Sequence, residues 1–213
     1  MGAACVLVAL SAFTVDGDAQ EGEARARNRA SVDPDAAFTP VERARLRNGE
    51  LVTREVMRSE GRYHYIGGTS WQVVRAPLED VWTMVLDTDV YPRIIPSLAE
   101  ARVVRDGEDQ RIVHMTHRYS IATAEYFARV SIDQDAHRVN FDLDRSRPHD
   151  LHAGRGFISL SDYREDTIVT WGALADLGSG MIMQIFGPML HDWILRVPRC
   201  LRDEIEPGRH NFC

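Results

Sequence analysis

The chain has 213 residues, 44% of them hydrophobic and 27% charged, enough to bury one good core and too few for two ordinary domains. Its 25 Lys and Arg against 32 Asp and Glu leave a formal charge of −7, which argues against nucleic acid as the partner. Three cysteines, Cys5, Cys200 and Cys213, are too few and too badly spaced for a disulfide scaffold. None stands in a CxxC or zinc-type spacing, so neither a metal nor a cofactor is expected.

Residues 3–15 (AACVLVALSAFTV) are nearly all apolar, and the small-x-small triplet Gly17-Asp18-Ala19 follows. Residues 1–19 therefore read as a secretory signal cleaved after Ala19, which would export the chain to a periplasm or the exterior; without cleavage it would stay cytoplasmic. The missing Lys or Arg ahead of the apolar run departs from the usual signal. The run is short for a spanning helix, which needs about 20 apolar residues, and no later stretch qualifies. Residues 20–38 turn to Ala, Glu, Asp and Arg without apolar periodicity and read as a disordered, solvated tether. A single domain over residues 39–213 follows. Cys5 leaves with the signal, and the last residue, Cys213, reads as a free terminal thiol, with a mixed or intermolecular disulfide as the alternative.

Within the domain, residues 40–48 open on Pro40 and stop before Gly49, a short helix. Extended segments follow at 51–59 and 63–74 around the turn-like Glu60-Gly61. Pro77 and two acids start a helix whose apolar face is Leu78, Val81, Trp82, Val85 and Leu86 and which ends near Asp87. Tyr91-Pro92 and Ile95-Pro96 bracket a second, very short helix, because a residue before proline leaves the helical region. After Pro96 the period changes from about 3.6 to 2 and predicts strands over 99–105, 110–119, 123–133, 138–143, 152–161 and 167–175. The links between them are polar and short enough that successive strands run antiparallel. Alternation turns Val113, Met115, His117 and Tyr119 inward, together with Tyr126, Ala128, Val130, Val139, Phe141, Leu143, Ile158, Leu160, Val169 and Trp171. A long helix from about Met181 to Glu204 closes the chain, with Pro188 and Pro198 kinking it or splitting it into pieces.

Residues 73–82 (VVRAPLEDVW), with Asp87, Tyr91-Pro92 and Pro96, resemble the opening of the START-like and polyketide cyclase (SRPBCC) helix-grip superfamily. Residues 154–171 (GRGFISLSDYREDTIVTW) resemble its paired late strands, and residues 198–206 (PRCLRDEIE) its last helical turns. The likeness implies an α+β helix-grip fold: a curved antiparallel sheet wrapped around a long C-terminal helix, with two short helices after an early strand. It also implies an apolar cavity between sheet and helix of the kind that takes lipids, sterols, quinones or polyketides. The family has no universal catalytic residue to carry across. An additional helix and strand before Gly67 depart from members that begin at the first strand.

The inward faces and the terminal helix give the expected ligand contacts: Met115, His117, Tyr119, Tyr126, Phe141, Ile158, Trp171, Ile182, Phe186, Met189 and Trp193. Methionines adapt to varied apolar partners, and Tyr and Trp add one polar handle to an apolar body. His117 and Tyr119 are the candidate catalytic pair, since an imidazole beside a phenol can orient a carbonyl or pass a proton. His114 with His117, and His149 with His152, stand at i,i+3, which on a strand sends each pair to opposite faces and forms no metal clamp. Asp142, Asp144, Arg145 and Arg147 read as a solvated strand and loop. No G-x-S-x-G elbow or phosphate-binding glycine loop is present. The leading expectation is non-catalytic binding, transport or sequestration of a hydrophobic small molecule or lipid, with only transient membrane contact. A cyclase, aromatase or dehydratase using His117, Tyr119 and Tyr126 is the alternative, and an interaction module with a closed core is the third. The sequence sets no oligomeric state.

Overall fold

A computed structural model describes residues 38–178, 192–206, 208 and 213. The chain divides into residues 1–38 and 39–213, and the second unit is the one described below. The signal-like segment and residues 20–37 of the tether lie outside the described residues, as do Ile182, Phe186, Pro188 and Met189.

Helix α1, Pro40–Arg47, begins at a capping box: Thr39 Oγ1 accepts from the Glu42 amide, and the Glu42 carboxylate accepts from the Thr39 amide. Glu42 also takes a two-point contact from Arg54 at 2.9 Å. The Arg54 guanidinium holds its carboxyl down to about 2. Strands β1 (Val52–Glu60) and β2 (Tyr63–Val74) form a hairpin. Helix α2 (Leu78–Leu86), a 3-10 turn (Thr88–Val90) and helix α3 (Tyr91–Ile94) then carry the chain to the far edge of the sheet. From there β3 (Leu98–Arg105), β4 (Gln110–Tyr119), β5 (Ala122–Asp133), β6 (Arg138–Leu143), β7 (Ala153–Tyr163) and β8 (Asp166–Asp176) return as a meander. The strand order is β1-β2-β8-β7-β6-β5-β4-β3, antiparallel throughout. The result is an α+β fold with one curved, open, eight-stranded sheet.

Register places Val113 opposite Ala128, Val130 opposite Phe141, Val139 opposite Ile158, and Leu160 opposite Val169, all on one face. These residues join Val81, Trp82 and Val85 of α2 and Leu201 near the C-terminus in one buried cluster. On the opposite face the Phe157 ring covers Gly172, where any side chain would collide with it, and Arg138 stacks over that ring at 3.8 Å.

Three expectations change, and of the two readings of the C-terminal helix, kinked or split into pieces, the described residues show the second: residues 192–194 make one helical turn, residues 195–196 a turn, and helix α4 spans Val197–Ile205. Pro198 sits in the first turn of α4, where its missing N–H has no partner to lose, so it starts a helix instead of kinking one. The Gly49 carbonyl accepts from both Gln72 Nε2 and the Arg202 guanidinium, which pins α4 to the entry of β1. Cys213 is not a free thiol: it is bonded to the fully buried Cys200, with Cα atoms 5.8 Å apart. Asp144 is not solvated but 5% exposed; it accepts from the Ser146 hydroxyl at 2.6 Å and faces Arg147 at 3.3 Å. The Ser146 hydroxyl holds its carboxyl below the usual range. His149 lies in the loop between β6 and β7, so the strand argument applied to it and His152 does not hold.

Candidate functional site

The inner face of the sheet has two halves. In one, Val113, Val130, Val139, Ile158 and Val169 meet α2 and close the core. In the other, the inward positions are small: Ala124, Ala128, Gly154, Gly156, Ala173 and Ala175. Large side chains opposite a helix fill the space between layers, whereas glycine and alanine leave it open. A cavity of about 180 Å³ lies over this bare half. Phe141, Leu143 and Trp171 wall it on the sheet side, and Trp193, Ile194 and Val197 close it from the C-terminal side.

The inward polar groups gather at one end. His117 Nε2 lies 3.1 Å from the Tyr126 hydroxyl, and His117 Nδ1 lies 3.0 Å from Ser97 Oγ. The two rings are stacked with centroids 5.6 Å apart, and the Tyr126 hydroxyl also reaches Met115 Sδ at 3.9 Å. Strands β4 and β5 supply this geometry directly, since Met115 faces Tyr126 and His117 faces Ala124 across the ladder. Ser97 comes from the connection between α3 and β3, in a left-handed conformation at φ 62, and its carbonyl accepts from the Arg118 amide at 2.8 Å. A left-handed non-glycine residue is uncommon and tends to mark positions that the surroundings over-determine.

Burial sets the protonation state of the pair. It pulls the His117 imidazole down to about 4, against a smaller opposing effect of the Pro96 carbonyl, and pushes the Tyr126 phenol above its ordinary value. Near neutral pH both are uncharged. A neutral imidazole and a neutral phenol orient a polar ligand group well, but a base this weak beside an acid this weak is poorly matched for proton transfer at neutral pH.

The structure brings Met115, His117, Tyr126, Phe141, Trp171 and Trp193 together around the cavity. Tyr119 points to the same face but stands at the end of the strand, 40% exposed; it packs edge-on against Trp193 at 4.9 Å and lies outside the cavity lining. Ile158 is 2% exposed and belongs to the closed half. The polar handle of Trp171 is spent on the Ile194 carbonyl, so this ring offers a ligand only apolar surface. A closed core, the third expectation, does not match a cavity of this size. Sequence reasoning missed Ser97, which no local pattern marks, and the small floor residues, which share the inward alternation of Tyr126 and Ile158 but were not read as space. No group of three or more His, Cys, Asp or Glu among the described residues could hold a metal ion, and no described helix is long and apolar enough to cross a membrane.

Comparison with known proteins places this geometry. The family model described as polyketide cyclase / dehydrase and lipid transport matches residues 74–190. No curated protein matches the chain in sequence. Among solved structures, the protein TTHA0849 of Thermus thermophilus superposes with TM-score 0.55 at 12% identity, over 63% of this chain and 92% of that one. A STAR-related lipid transfer protein from Xanthomonas axonopodis gives 0.54 at 9% identity, over 70% and 97%. The Zhui aromatase/cyclase from Streptomyces sp. R1128 gives 0.48 at 12% identity, over 75% and 100%. At these identities the likeness concerns the fold alone.

Proposed function

The chain belongs to the polyketide cyclase / dehydrase and lipid transport family, and on that premise we propose that it binds a compact hydrophobic molecule carrying one polar group, without transforming it. The observation that carries this reading is the neutral pair His117 and Tyr126 at one end of a cavity of about 180 Å³ whose lining is mostly apolar. An apolar protein cavity of about 150 Å³ holds benzene, and pockets for drug-sized ligands run from about 300 Å³ upward. The occupant that fits is a body of one or two rings, or a short acyl chain, with a hydroxyl or carbonyl turned toward His117 and Tyr126. A cyclase would use the same pair, and the low His117 pKa disfavours it, because protonating the ring at neutral pH works against its burial.

The test is a fluorescence titration with 2-naphthol, two rings with one hydroxyl, on the wild type and Tyr126→Phe. Expected is one site per chain, with affinity about tenfold weaker in the variant because one hydrogen bond to the ligand network is lost. Equal binding of 2-naphthol by both proteins would refute the polar anchor, and no binding would refute the cavity reading. Turnover of a cyclisable aromatic precursor that disappears in His117→Ala would instead establish the enzyme.

The same proposal includes export. Disulfides persist in oxidising compartments, and the Cys200–Cys213 bond stands in a chain whose first 19 residues read as a signal. Intact mass of the chain recovered from its source should match a chain beginning at Gln20, with Cys200 and Cys213 alkylated only after reduction. A full-length chain with alkylated Cys200 and Cys213 would overturn it.

A further inference from the structure

Ile121, at the tip of the hairpin joining β4 and β5, is 96% exposed, the most exposed large apolar side chain among the described residues. The turn does not need it. Ser120, at φ 54, already supplies the left-handed residue that reverses the chain, and tight turns are ordinarily built from Gly, Asn, Asp and Ser. The tip is continuous with the cavity. His117 and Ala124 face each other and both line it; one step further out, Tyr119 and Ala122 make the last pair of the ladder. Tyr119 packs against Trp193, which is itself part of the cavity wall. Arg118, exposed on the other face of the same strand, puts a cation within the same two turns of chain.

We propose that this hairpin tip is a membrane-contact wedge: Ile121 enters the interfacial layer of a lipid bilayer, Tyr119 sits at the headgroup level, and Arg118 meets phosphate. The proposal rests on the ligand-binding reading for its purpose, the passage of an apolar ligand between bilayer and cavity without crossing water. The residue chemistry favours a bilayer over a protein partner. An aliphatic residue with a neighbouring aromatic and a long cation is the composition of interfacial anchors. A stable protein interface, by contrast, buries about 800 Å² on each partner, far more than one projecting side chain can offer.

The test uses the full chain and flotation with vesicles of phosphatidylcholine and phosphatidylglycerol in equal parts. Three proteins are compared: wild type, Ile121→Asp, and Met57→Asp, which changes a 76% exposed residue on the opposite edge strand β1. Wild type and Met57→Asp should float alike, while Ile121→Asp partitions about tenfold to a hundredfold less, the loss from withdrawing one isoleucine from an apolar layer. Affinity for 2-naphthol in lipid-free buffer should be the same in all three. Failure of the wild type to float, equal flotation of Ile121→Asp, or an equal loss in Met57→Asp each overturns the wedge. A concentration-dependent dimer that Ile121→Asp abolishes, without flotation, overturns it by assigning the tip to a second copy of the chain. If flotation depends on Ile121 but 2-naphthol does not bind, the wedge stands and the cavity reading fails.

Discussion

Replacing Gly154 by leucine fills the cavity from its floor. A Cβ at Gly154 would meet only Leu151 Cδ1 at 3.9 Å and Leu143 Cβ at 4.0 Å, ordinary contact distances. The side chain would point inward with Ile158 on the same strand face. Four added carbons occupy on the order of 100 Å³ if each takes the ~30 Å³ share of a water molecule, more than half of the 180 Å³ available. At about 24 cal/mol per Å³ of cavity removed, the change stabilises the fold by about 2 kcal/mol, less about 0.5–1 kcal/mol for fixing the leucine rotamer. The melting temperature should therefore rise by a few degrees while 2-naphthol binding is lost, both readable in one thermal-shift series with and without the probe. Gly156→Ala is the contrast. Its Cβ would stand 2.6 Å from the Gly172 carbonyl oxygen, a backbone atom that cannot swing away, so a single methyl should lower the melting temperature. A Gly154→Leu protein that binds 2-naphthol like wild type, or that melts well below it, would refute the placement of the cavity over this half of the sheet.

Two further outcomes follow from the same structure. Burial lowers the folded-state pKa of His117 to about 4, below the ~6.5 of a free imidazole, so the unfolded chain binds this proton first; stability is complete above pH ~6.5 and declines as pH falls toward 4, by about 3 kcal/mol. Urea unfolding at pH 7 and pH 4.5 should show that His117→Gln loses less stability on acidification than wild type, and equal losses would contradict the burial argument. Cys213→Ser should cost about 3 kcal/mol, the chain-entropy value for a loop of this size, and should make stability insensitive to dithiothreitol.

Much of the scaffold was legible because its signals are local. Period 2 after Pro96, broken by short polar links, placed six strands within one or two residues of where they fold, and Pro77 followed by Glu79 and Asp80 marked the start of α2. The facing of Met115, His117 and Tyr126 followed from alternation alone, since a pleated strand leaves a side chain no third direction. In the C-terminal region the same locality left two readings open, a kinked helix or one split into pieces. Pro198 carries the same local signal whether it interrupts a helix or begins one, and only the turn at residues 195–196 distinguishes the two.

Sequence by itself determined the eight strands, the two small helices ahead of the meander, and which side chains share the inner face. Tertiary structure alone decided that β2 lies beside β8, that Ser97 reaches His117 from twenty residues away, that Cys213 closes on Cys200, and that Tyr119 falls outside the cavity. Alternation says which way a side chain points, but empty space is a difference between two facing surfaces. Gly154 and Ala175 become the floor of a cavity only because the Trp193–Val197 segment crosses above them without large side chains beneath to meet it.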